Sequence, residues 1–448
     1  MGEVSATFSD VALANLSPED RYRLYCCKDS FGTILSLQPM IDDANEFGLL
    51  SLYKRIAHPL ARVIIGMNRR GLLLDPIAKD NAIVDFEKQI AIRQKQLNEY
   101  AGRELLNDSS DLRRLLYEEM GLIPPCMTAS GKHGAVDETS LKDLAAKYPD
   151  IAPLFDLQRE LRGLNKTKST FLEGIVPDQD GRVHPSFKIG PVTGRLACRK
   201  PNFQNIPVGP GREMFLAPKG KLFVYADFRQ LQVRIFFVLG EDKGLLAALA
   251  AGEDPHDYNT RQLFELPPDV KVNVQQRKFG KTFFFGHLLF GGRIETIKTR
   301  GGALSYDIPI EQFQRMSDEW FAKRPTIKEL RRKTEDDARS KRCVTSPYGR
   351  PRMLFDPKIE DAISKALNHP IQAAEADLVS ESLIEVDKAL PETLVLQVHD
   401  SIMLEVDKER AEEVKDQFVG ILERPRPFIK NYSFPVEAKI GEHWSDFS

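Results

Sequence analysis

Hydrophobic and polar positions follow two different periods along this chain. From about residue 53 to 187, apolar residues recur at helical spacing, as in IVDFEKQIAIRQKQLNEY (83–100), which predicts amphipathic helices. From about residue 188, short apolar runs rich in β-branched and aromatic residues indicate strands, and 237–367 returns to helical spacing. Residues 1–52 are expected not to form a core of their own. The pattern predicts a mixed chain with both helices and sheet.

Two of the predicted strands end at an acidic residue. KLFVYADF (221–228) brings Asp227 to a strand end, and LVLQVHDSIMLEV (394–406) is a hairpin whose turn holds His399 and Asp400. Neighbouring antiparallel strands could place the two carboxylates together, and a pair of Mg²⁺ ions about 4 Å apart would neutralise them and act on a phosphoryl group. The alternative is that each aspartate is an ordinary turn or capping residue.

A basic and aromatic segment lies between these two acids. RKFGKTFFFGHLLFGG begins at Arg277, and a helix would place Arg277, Lys281, Phe285 and Leu289 on one face. Two cations and an aromatic ring could bind a triphosphate and stack on its base. The alternative is an amphipathic helix with an aromatic core stripe, and the double glycine at 291–292 predicts where the helix ends.

Composition and charge exclude several other classes. A length of 448 residues, with 42% hydrophobic and 29% charged residues, predicts a multi-domain globular protein. Five scattered cysteines without a C-x-x-C pair argue against zinc and for a reducing compartment, and no apolar run suggests a membrane span. We therefore expect a cytoplasmic protein. The net charge of −2 gives no hint of nucleic acid, so basic residues must be sought locally.

Together these motifs resemble the family-A DNA polymerases, of the bacterial DNA polymerase I type, over nearly the whole chain. The matching stretches are VYADFRQLQVRI (motif A), R-x-x-x-K-x-x-x-F-G from Arg277 (motif B), QVHDS (motif C), TGRLACRKPNFQNIP at 193–207, NHPIQAAEAD from Asn368, and RGLNKTKSTF from Arg162. The number and order of these motifs carry the resemblance, since each alone is less specific.

The resemblance implies an α/β (α+β) chain with the right-hand polymerase fold, an antiparallel palm sheet, a helical thumb and helical fingers. The implied regions are the end of a 3′–5′ exonuclease domain at 1–52, the thumb at 53–187, the palm at 188–236 and 368–448, and the fingers at 237–367.

The resemblance also implies template-directed, primer-dependent DNA synthesis from dNTPs with release of pyrophosphate. Its catalytic residues would be Asp227 and Asp400, which hold two Mg²⁺ ions, and Lys281, which could give a proton to pyrophosphate. Its nucleotide-binding residues would be Arg277, Lys281, Phe285, His256 and Gln232. Its DNA-binding residues would be Arg195, Asn205, Gln372, His399, Arg162, Lys166 and Lys168.

Four positions depart from the family pattern. Ser401 replaces the usual Glu of motif C, Gln232 replaces the usual Glu of motif A, and Ser364 stands where Arg is common. Leu289 stands where motif B usually has Tyr, although a shift of one residue would place Phe290 there. The Glu and Tyr are tied by a hydrogen bond in the family, so these changes bear on sugar choice.

The start of the sequence resembles the end of a proofreading domain. Tyr25-x-x-x-Asp29 is similar to the last exonuclease motif, but the earlier acids have no room upstream, so we expect no proofreading by this chain. Either a larger protein was cut here, or an exonuclease lies on a separate chain.

The expected partners are primer-template DNA and dNTPs, without a membrane, and the expected state is a monomer. Two alternative functions are a related nucleotidyltransferase with relaxed sugar or template choice, such as a reverse transcriptase or an RNA polymerase, and a non-catalytic nucleic-acid-binding scaffold. Both aspartates are present, which argues against the scaffold.

Overall fold

Helices form most of the chain in the computed structural model, which describes residues 16–447 apart from 107, 129, 191, 301–304 and 306–307. They are α1 (Pro18–Glu46), α2 (Leu50–Leu52 and His58–Arg70, joined by a π turn at Tyr53–Ala57), α3 (Pro76–Ala101), α4 (Ser109–Arg113), α5 (Glu138–Lys147), α6 (Ala152–Thr167), α7 (Pro210–Glu213), α8 (Leu231–Leu239), α9 (Lys243–Ala250), α10 (Pro255–Phe264), α11 (Val274–Phe283), α12 (Ile294–Arg300), α13 (Ile310–Ala322), α14 (Pro325–Ser340), α15 (Ile359–Ala389) and α16 (Ala411–Leu422). Further π turns directly follow α4, α6 and α11, at Arg114–Glu119, Lys168–Glu173 and Phe284–Leu289.

The strands form one larger sheet and three small ones. They are β1 (Leu72–Leu74), β2 (Arg182–Val183), β3 (Ser186–Ile189), β4 (Leu196–Arg199), β5 (Phe215–Leu216), β6 (Lys221–Phe228), β7 (Cys343–Thr345), β8 (Pro351–Met353), β9 (Leu394–Val398), β10 (Ser401–Asp407) and β11 (Val436–Gly441). The larger sheet has the order β11-β6-β10-β9, and each neighbouring pair is antiparallel. The small sheets have the orders β2-β1-β5, β3-β4 and β7-β8.

The chain folds as two units, each with its own core. The helical unit contains the described residues up to Pro59, Ile235–Asp377 and Phe428–Lys430. The sheet unit contains Leu60–Arg234, Leu378–Pro427 and the described residues from Asn431 onward. The predicted fingers at 237–367 fall within the helical unit, whereas the predicted thumb and palm are not separated from each other. The thumb, palm and fingers boundaries remain predictions.

Aromatic residues form the core of the helical unit. Phe279 and Phe283 on α11 stack with their ring centroids 5.7 Å apart, and Phe313 on α13 contacts both rings. Asn273 and Gln276 form a capping box that starts α11. Gly280 lets α10 approach α11 closely, because a Cβ there would lie 2.1 Å from Thr260 Oγ1. These contacts fix where the basic face of α11 lies within this unit.

The larger sheet and α16 form one core of the sheet unit. The side chains of Phe223, Val224 and Leu404 on β6 and β10 are fully buried, and α16 packs on β6 and β11. A second core joins α3, α4, α5 and α6 through buried leucines, including Leu97 and Leu161. The helical prediction for 83–100 is confirmed by α3, and the strand prediction for 221–228 coincides with β6. The α+β fold class is likewise confirmed, since helices and an antiparallel sheet are both present.

Helix α1 agrees with the expectation that residues 1–52 do not form a core of their own. It buries none of its residues, although Tyr22, Tyr25, Phe31 and Met40 are large apolar side chains on it. No helix in the described part of the chain is long and apolar enough to cross a membrane. All five cysteines are free, so no disulfide contributes to stability.

Buried His369 in the helical unit makes stability depend on pH. Its Nε2 donates to the carbonyl oxygen of Arg350 (2.9 Å), whose guanidinium pairs with buried Asp377 (2.6 Å). Burial lowers the pKa of His369 to about 4 from its usual 6.5, and the charges of Arg352 and Arg350 add to this lowering. A lowered histidine pKa contributes stability above pH 6.5 that is lost as the pH falls toward 4.

We therefore expect the free energy of unfolding to fall by about 2 kcal/mol between pH 7 and pH 5 through His369 alone. Urea denaturation at the two pH values measures this fall. His369→Gln should remove that part of the fall, because the amide can still donate but does not titrate. His133→Gln, which changes an exposed histidine, is the control and should keep the wild-type dependence. An unchanged pH dependence in His369→Gln contradicts the prediction.

Candidate functional site

The two predicted acids lie at the same end of two neighbouring strands of the larger sheet. Asp227 is the next-to-last residue of β6, and Asp400 lies in the turn between β9 and β10. Ser401, the residue after Asp400, pairs directly with Asp227 in the antiparallel register. The backbone N–H of Phe228, the residue after Asp227, donates to the carbonyl oxygen of Asp400 (3.3 Å). The sheet therefore brings both carboxylates to the same end of one strand pair, as the sequence predicted.

A two-residue turn holds Asp400 in place. Val398 and Ser401 pair across it, so only His399 and Asp400 form the connection. His399 has a φ of 55°, a conformation that costs a non-glycine residue about 1 kcal/mol. Gln397 donates to the carbonyl oxygen of His399 and accepts a hydrogen bond from Gln204 Nε2 (3.1 Å). These hydrogen bonds hold the turn in place. Gln204 is therefore a functional candidate that the sequence reading did not single out.

The electrostatics of this sheet end favour a cation. Asp227 Oδ1 is buried and makes no hydrogen bond. Burial raises the pKa of Asp227, the negative charge of Glu437 raises it further, and Lys439 opposes both. The pKa of Tyr225 is also raised, first by burial and then by the charges of Asp227 and Asp400, against a hydrogen bond with Ser401. A bound cation would relieve this accumulation of negative charge.

The carboxylate pair fits Mg²⁺ better than a metal with a full set of protein ligands. No cluster of three or more His, Cys, Asp or Glu suited to a metal ion occurs in the described ranges. Mg²⁺ is commonly held by one or two carboxylates, with waters and substrate phosphates completing its shell. The buried Asp227 Oδ1, which makes no hydrogen bond, would be available as one such ligand, and Asp400 would offer a second carboxylate.

The basic helix α11 lies in the helical unit, and Arg277 on it is paired with two acids. Arg277 Nε donates to Asp257 Oδ1 (2.8 Å), and Nη2 donates to Asp254 Oδ2 (3.2 Å). Asp254 also caps α10 by accepting from the backbone N–H groups of His256 and Asp257. Arg277 thus bridges α10 and α11, and the sequence reading missed this pairing because the partners are about 20 residues away.

Three further predicted nucleotide-binding residues lie close to one another in the same unit. The rings of His256 and Phe285 have centroids 5.3 Å apart, and His256 Nδ1 is buried without a hydrogen-bond partner. Burial lowers the pKa of His256, and the nearby positive charges of Lys281 and Arg277 add to this, against the charges of Asp254 and Asp257. Lys281 itself is exposed. The cluster combines cations, a neutral histidine and an aromatic ring.

A π turn changes which residue lies one turn after Phe285 on the same face of this helix. The backbone N–H of Phe290 donates to the carbonyl oxygen of Phe285 (3.2 Å), which adds one residue to the turn. Leu289 is buried, whereas Phe290 is half-buried with its ring centroid 6.1 Å from that of Phe285. The spacing-by-four prediction therefore does not extend to Leu289, and the geometry favours the shifted alignment in which Phe290 takes the place of the motif B Tyr. Gly291 follows with a φ of 66°, at the predicted helix end.

Two of the predicted DNA-binding residues share a cavity in the sheet unit. Lys166 and Asn205 both line a cavity of about 790 Å³, together with His184, Lys200 and Asn202. Arg162 and Lys166 also line a smaller, mainly apolar cavity of about 290 Å³ between α5 and α6. Arg162 donates to the carbonyl oxygen of Val136 (2.8 Å), and burial lowers its pKa.

The other predicted site residues have the following places. Lys168 pairs with Glu87 (2.8 Å) and Glu173 (3.2 Å), so its charge is largely offset within the unit. Arg195 precedes β4, and its carbonyl oxygen accepts from the N–H of Gly190 (3.1 Å). Gln232 is half-buried in the first turn of α8. Gln372 belongs to the helical unit, where its Nε2 donates to Asn368 Oδ1 (3.4 Å) on α15.

The sheet also reveals a carboxylate beside Asp227 that the sequence reading did not select. Glu437 on β11 pairs directly with Asp227 across the strand pair, on the side opposite Ser401. The sequence reading could not select Glu437, because the register between distant strands has no local signal.

An antiparallel sheet that brings two aspartates together, one of them with a buried oxygen that makes no hydrogen bond, is typical of a protein that binds divalent cations, and comparison with known proteins identifies the family. Residues 79–446 match DNA polymerase family A. The chain therefore belongs to DNA polymerase family A.

Similar proteins include bacterial DNA polymerases I. The chain is 29% identical to the thermostable DNA polymerase I of Thermus filiformis over 88% of this chain and 48% of that protein. It is 29% identical to DNA polymerase I of Chloroflexus aurantiacus over 100% of this chain and 48% of that protein. The chain thus spans about half the length of these relatives.

A solved structure has a similar fold. The polymerase domain of Pol1 from M. smegmatis, in complex with DNA primer-template and dNTP, superposes with a TM-score of 0.78. The sequences are 25% identical, and the match covers 90% of this chain and 72% of that chain. The right-hand polymerase fold expected from the motifs is therefore confirmed.

Proposed function

We propose that this chain catalyses template-directed, primer-dependent DNA synthesis from dNTPs. The observation that carries the proposal is that Asp227, on β6, and Asp400, in the turn before β10, lie at the same end of one strand pair, where the N–H of Phe228 donates to the carbonyl oxygen of Asp400. Membership of DNA polymerase family A and the likeness to a polymerase domain in complex with primer-template and dNTP support the choice of substrates. Metal dependence follows from the same pair, and two Mg²⁺ ions are the proposed cofactor.

In the proposed reaction, the primer 3′-hydroxyl oxygen forms a bond to the α-phosphorus of the dNTP. The bond from that phosphorus to pyrophosphate breaks, and the hydroxyl proton is released. Mg²⁺, when bound, would neutralise charge at the phosphates and favour the ionised form of the hydroxyl. Asp227 and Asp400 would hold the ions, since both carboxylates lie at one end of the β6–β10 pair. Most of the catalysis in such reactions comes from positioning and charge stabilisation.

The residues of the helical unit would bind the nucleotide. Arg277 and Lys281 would bind the triphosphate, and Lys281 would donate a proton to the leaving pyrophosphate. Arg277 would exchange its bonds to Asp254 and Asp257 for phosphate oxygens, which accept the same bidentate geometry. Phe285 would stack on the base of the incoming nucleotide, and neutral His256 would donate to a phosphate.

The proposed DNA-binding residues are assigned from their positions in the structure and in the family motifs. Lys166 and Asn205, which share the larger cavity, would contact the duplex backbone, and Arg162 would add a cation nearby. Arg195, Gln372 and His399 would contact the primer-template near its terminus. Lys168 is already paired with Glu87 and Glu173, so its contribution to duplex binding should be smaller than that of Arg162 or Lys166.

Primer extension tests the proposal directly. The full chain is incubated with a 5′-labelled primer annealed to a longer DNA template, the four dNTPs and Mg²⁺. Extension to the template end supports the proposal. An intact protein that binds the duplex but extends no primer would favour a nucleic-acid-binding scaffold. An RNA template and an unprimed template in parallel reactions would reveal a reverse transcriptase or an RNA polymerase.

Sugar choice gives a sharper prediction. Gln232 keeps the bulk of the family Glu without its charge, so dNTPs should still be preferred over rNTPs. Its anchoring is weaker, because a neutral amide makes weaker hydrogen bonds than a carboxylate and neither Leu289 nor Phe290 offers a hydroxyl. We expect Gln232→Ala to lower the dNTP/rNTP ratio of incorporation efficiencies by about tenfold or more, which corresponds to at least 1.4 kcal/mol.

Single-nucleotide incorporation kinetics with dNTP and rNTP measure this ratio in wild type, Gln232→Ala and Gln232→Glu. Phe290→Ala, compared with Leu289→Ala, tests which of these two side chains supports Gln232 in selecting the sugar. The π turn predicts that Phe290→Ala has the larger effect. An unchanged ratio in Gln232→Ala shows that Gln232 does not select the sugar.

A further inference from the structure

Asp227 has two direct neighbours in the larger sheet, and they differ in charge. Ser401 on β10 lies on one side and Glu437 on β11 lies on the other. Residues that pair directly across antiparallel strands point to the same face, with Cβ atoms about 5 Å apart. The face that carries Asp227 therefore also carries the Glu437 carboxylate.

We propose that Glu437 is a positioning residue of the metal site, where its carboxylate orients water molecules bound to the ion held by Asp227. This inference rests on the proposed function, because it assigns Glu437 to the same Mg²⁺ ions. Mg²⁺ retains several waters, and second-layer carboxylates that accept hydrogen bonds from ligands or waters strengthen metal binding.

A water-mediated role agrees with the geometry better than direct ligation does. No group of three potential ligands is close enough to hold a metal in the part of the chain that the structure describes. The distance across a strand pair leaves room for one water between the two carboxylates. The hydroxyl of Ser401, on the other side, is a weaker candidate for this role, because it is uncharged, is buried and already donates to the carbonyl oxygen of Val398 (2.8 Å).

The electric field of Glu437 reaches Asp227. Glu437 pairs directly with Asp227, and Lys439, two residues further along β11, pairs with Tyr225 and lies on the same face, so one negative and one positive side chain stand beside Asp227. The two neighbours on β11 thus have opposite effects on negative charge at Asp227. They should have opposite effects on the binding of a cation there as well.

The alternative role for Glu437 is an ordinary surface ion pair. Its carboxylate lies 3.2 Å from Lys439 Nζ and 3.9 Å from Arg229 Nη2, and its side chain is 50% exposed. An exposed pair of this kind contributes little to stability. In that case, removing either partner breaks the same pair, so Glu437→Gln and Lys439→Gln should change the protein in the same direction.

Binding of Mn²⁺ to the full chain, measured by the electron paramagnetic resonance signal of the free ion, separates the two roles. Second-layer residues typically change metal affinity 10–100-fold, and the exposure of Glu437 reduces this effect. We expect Glu437→Gln to raise the dissociation constant by about threefold to tenfold, and Glu437→Asp to stay nearer to wild type. Lys439→Gln should lower the constant. The Mg²⁺ concentration for half-maximal extension should shift in the same directions.

Two comparisons decide the outcome. An unchanged Mn²⁺ affinity in Glu437→Gln, or a shift in the same direction in Glu437→Gln and Lys439→Gln, overturns the inference for Glu437. Asp227→Ala serves as the control for the site itself. If Asp227→Ala binds Mn²⁺ as wild type does, the metal assignment of the proposed function fails. If it loses binding while Glu437→Gln keeps it, only the role of Glu437 fails.

Discussion

Asp227→Ala and Asp400→Ala should each reduce primer extension by about 10³-fold or more, a loss on the order of 4 kcal/mol in the transition state. Ions held by these carboxylates would stabilise charge that develops during the reaction, so their loss should affect the rate more than it affects the binding of substrate. Duplex affinity should stay close to that of wild type. Single-turnover extension and a fluorescence-anisotropy titration of labelled primer-template measure the two quantities separately.

The structure offers a matched control for this pair of variants. Asp407→Ala removes an exposed carboxylate at the far end of β10, where Asp407 pairs in register with Lys221. This variant should extend primers at the wild-type rate. Asp227→Ala should also fold normally, because Asp227 Oδ1 has no hydrogen-bond partner to lose. Near-normal turnover in Asp227→Ala or Asp400→Ala rules out the assigned metal site.

Lys281→Ala should slow the chemical step by about 10²–10⁴-fold, the range typical of a general acid. Arg277→Ala should instead mainly raise the KM for dNTP, because Arg277 would bind phosphate in both the ground state and the transition state. Rapid-quench measurements over a range of dNTP concentrations separate the maximal rate from the nucleotide affinity. The two variants therefore differ in which of these constants changes.

Lys278→Ala is the control for lost positive charge, because Lys278 is an exposed lysine on the same helix, α11. Its maximal rate should stay near that of wild type. Arg277→Ala also needs a thermal denaturation curve, since it breaks the ion pairs with Asp254 and Asp257 that join α10 to α11. Equal and small effects on the rate from Lys281→Ala and Arg277→Ala count against the triphosphate role.

Local pattern was sufficient to predict the elements that carry the site. The apolar run KLFVYADF predicted β6 to the residue, and the polar break at His399 and Asp400 predicted the hairpin turn. Both follow from short-range preferences for strand and turn. From the sequence, contact between Asp227 and the turn follows from only one of several possible strand orders. The order itself depends on pairing between residues more than 150 positions apart.

The features that sequence reading missed depend on register and on long-range pairing. Glu437 reads as one more charged residue in a strand until β11 is placed beside β6. Arg277 reads as a free cation until α10 brings Asp254 and Asp257 to it. The π turn after α11 adds one residue, and Gly286 within it does not distinguish a π turn from an ordinary helical turn, so helical counting by four placed Leu289 on the face of Phe285.

The two-residue turn at His399 and Asp400 constrains how the length of this chain can vary over evolution. Val398 and Ser401 pair across the turn, so one inserted residue would move Asp400 relative to Asp227 or displace the whole of β10 by one register position. A displacement by one position would also turn the buried side chains of β10 toward the opposite face. Insertions and deletions should therefore be eliminated by selection here, even though a tight surface turn is where sequences usually tolerate them.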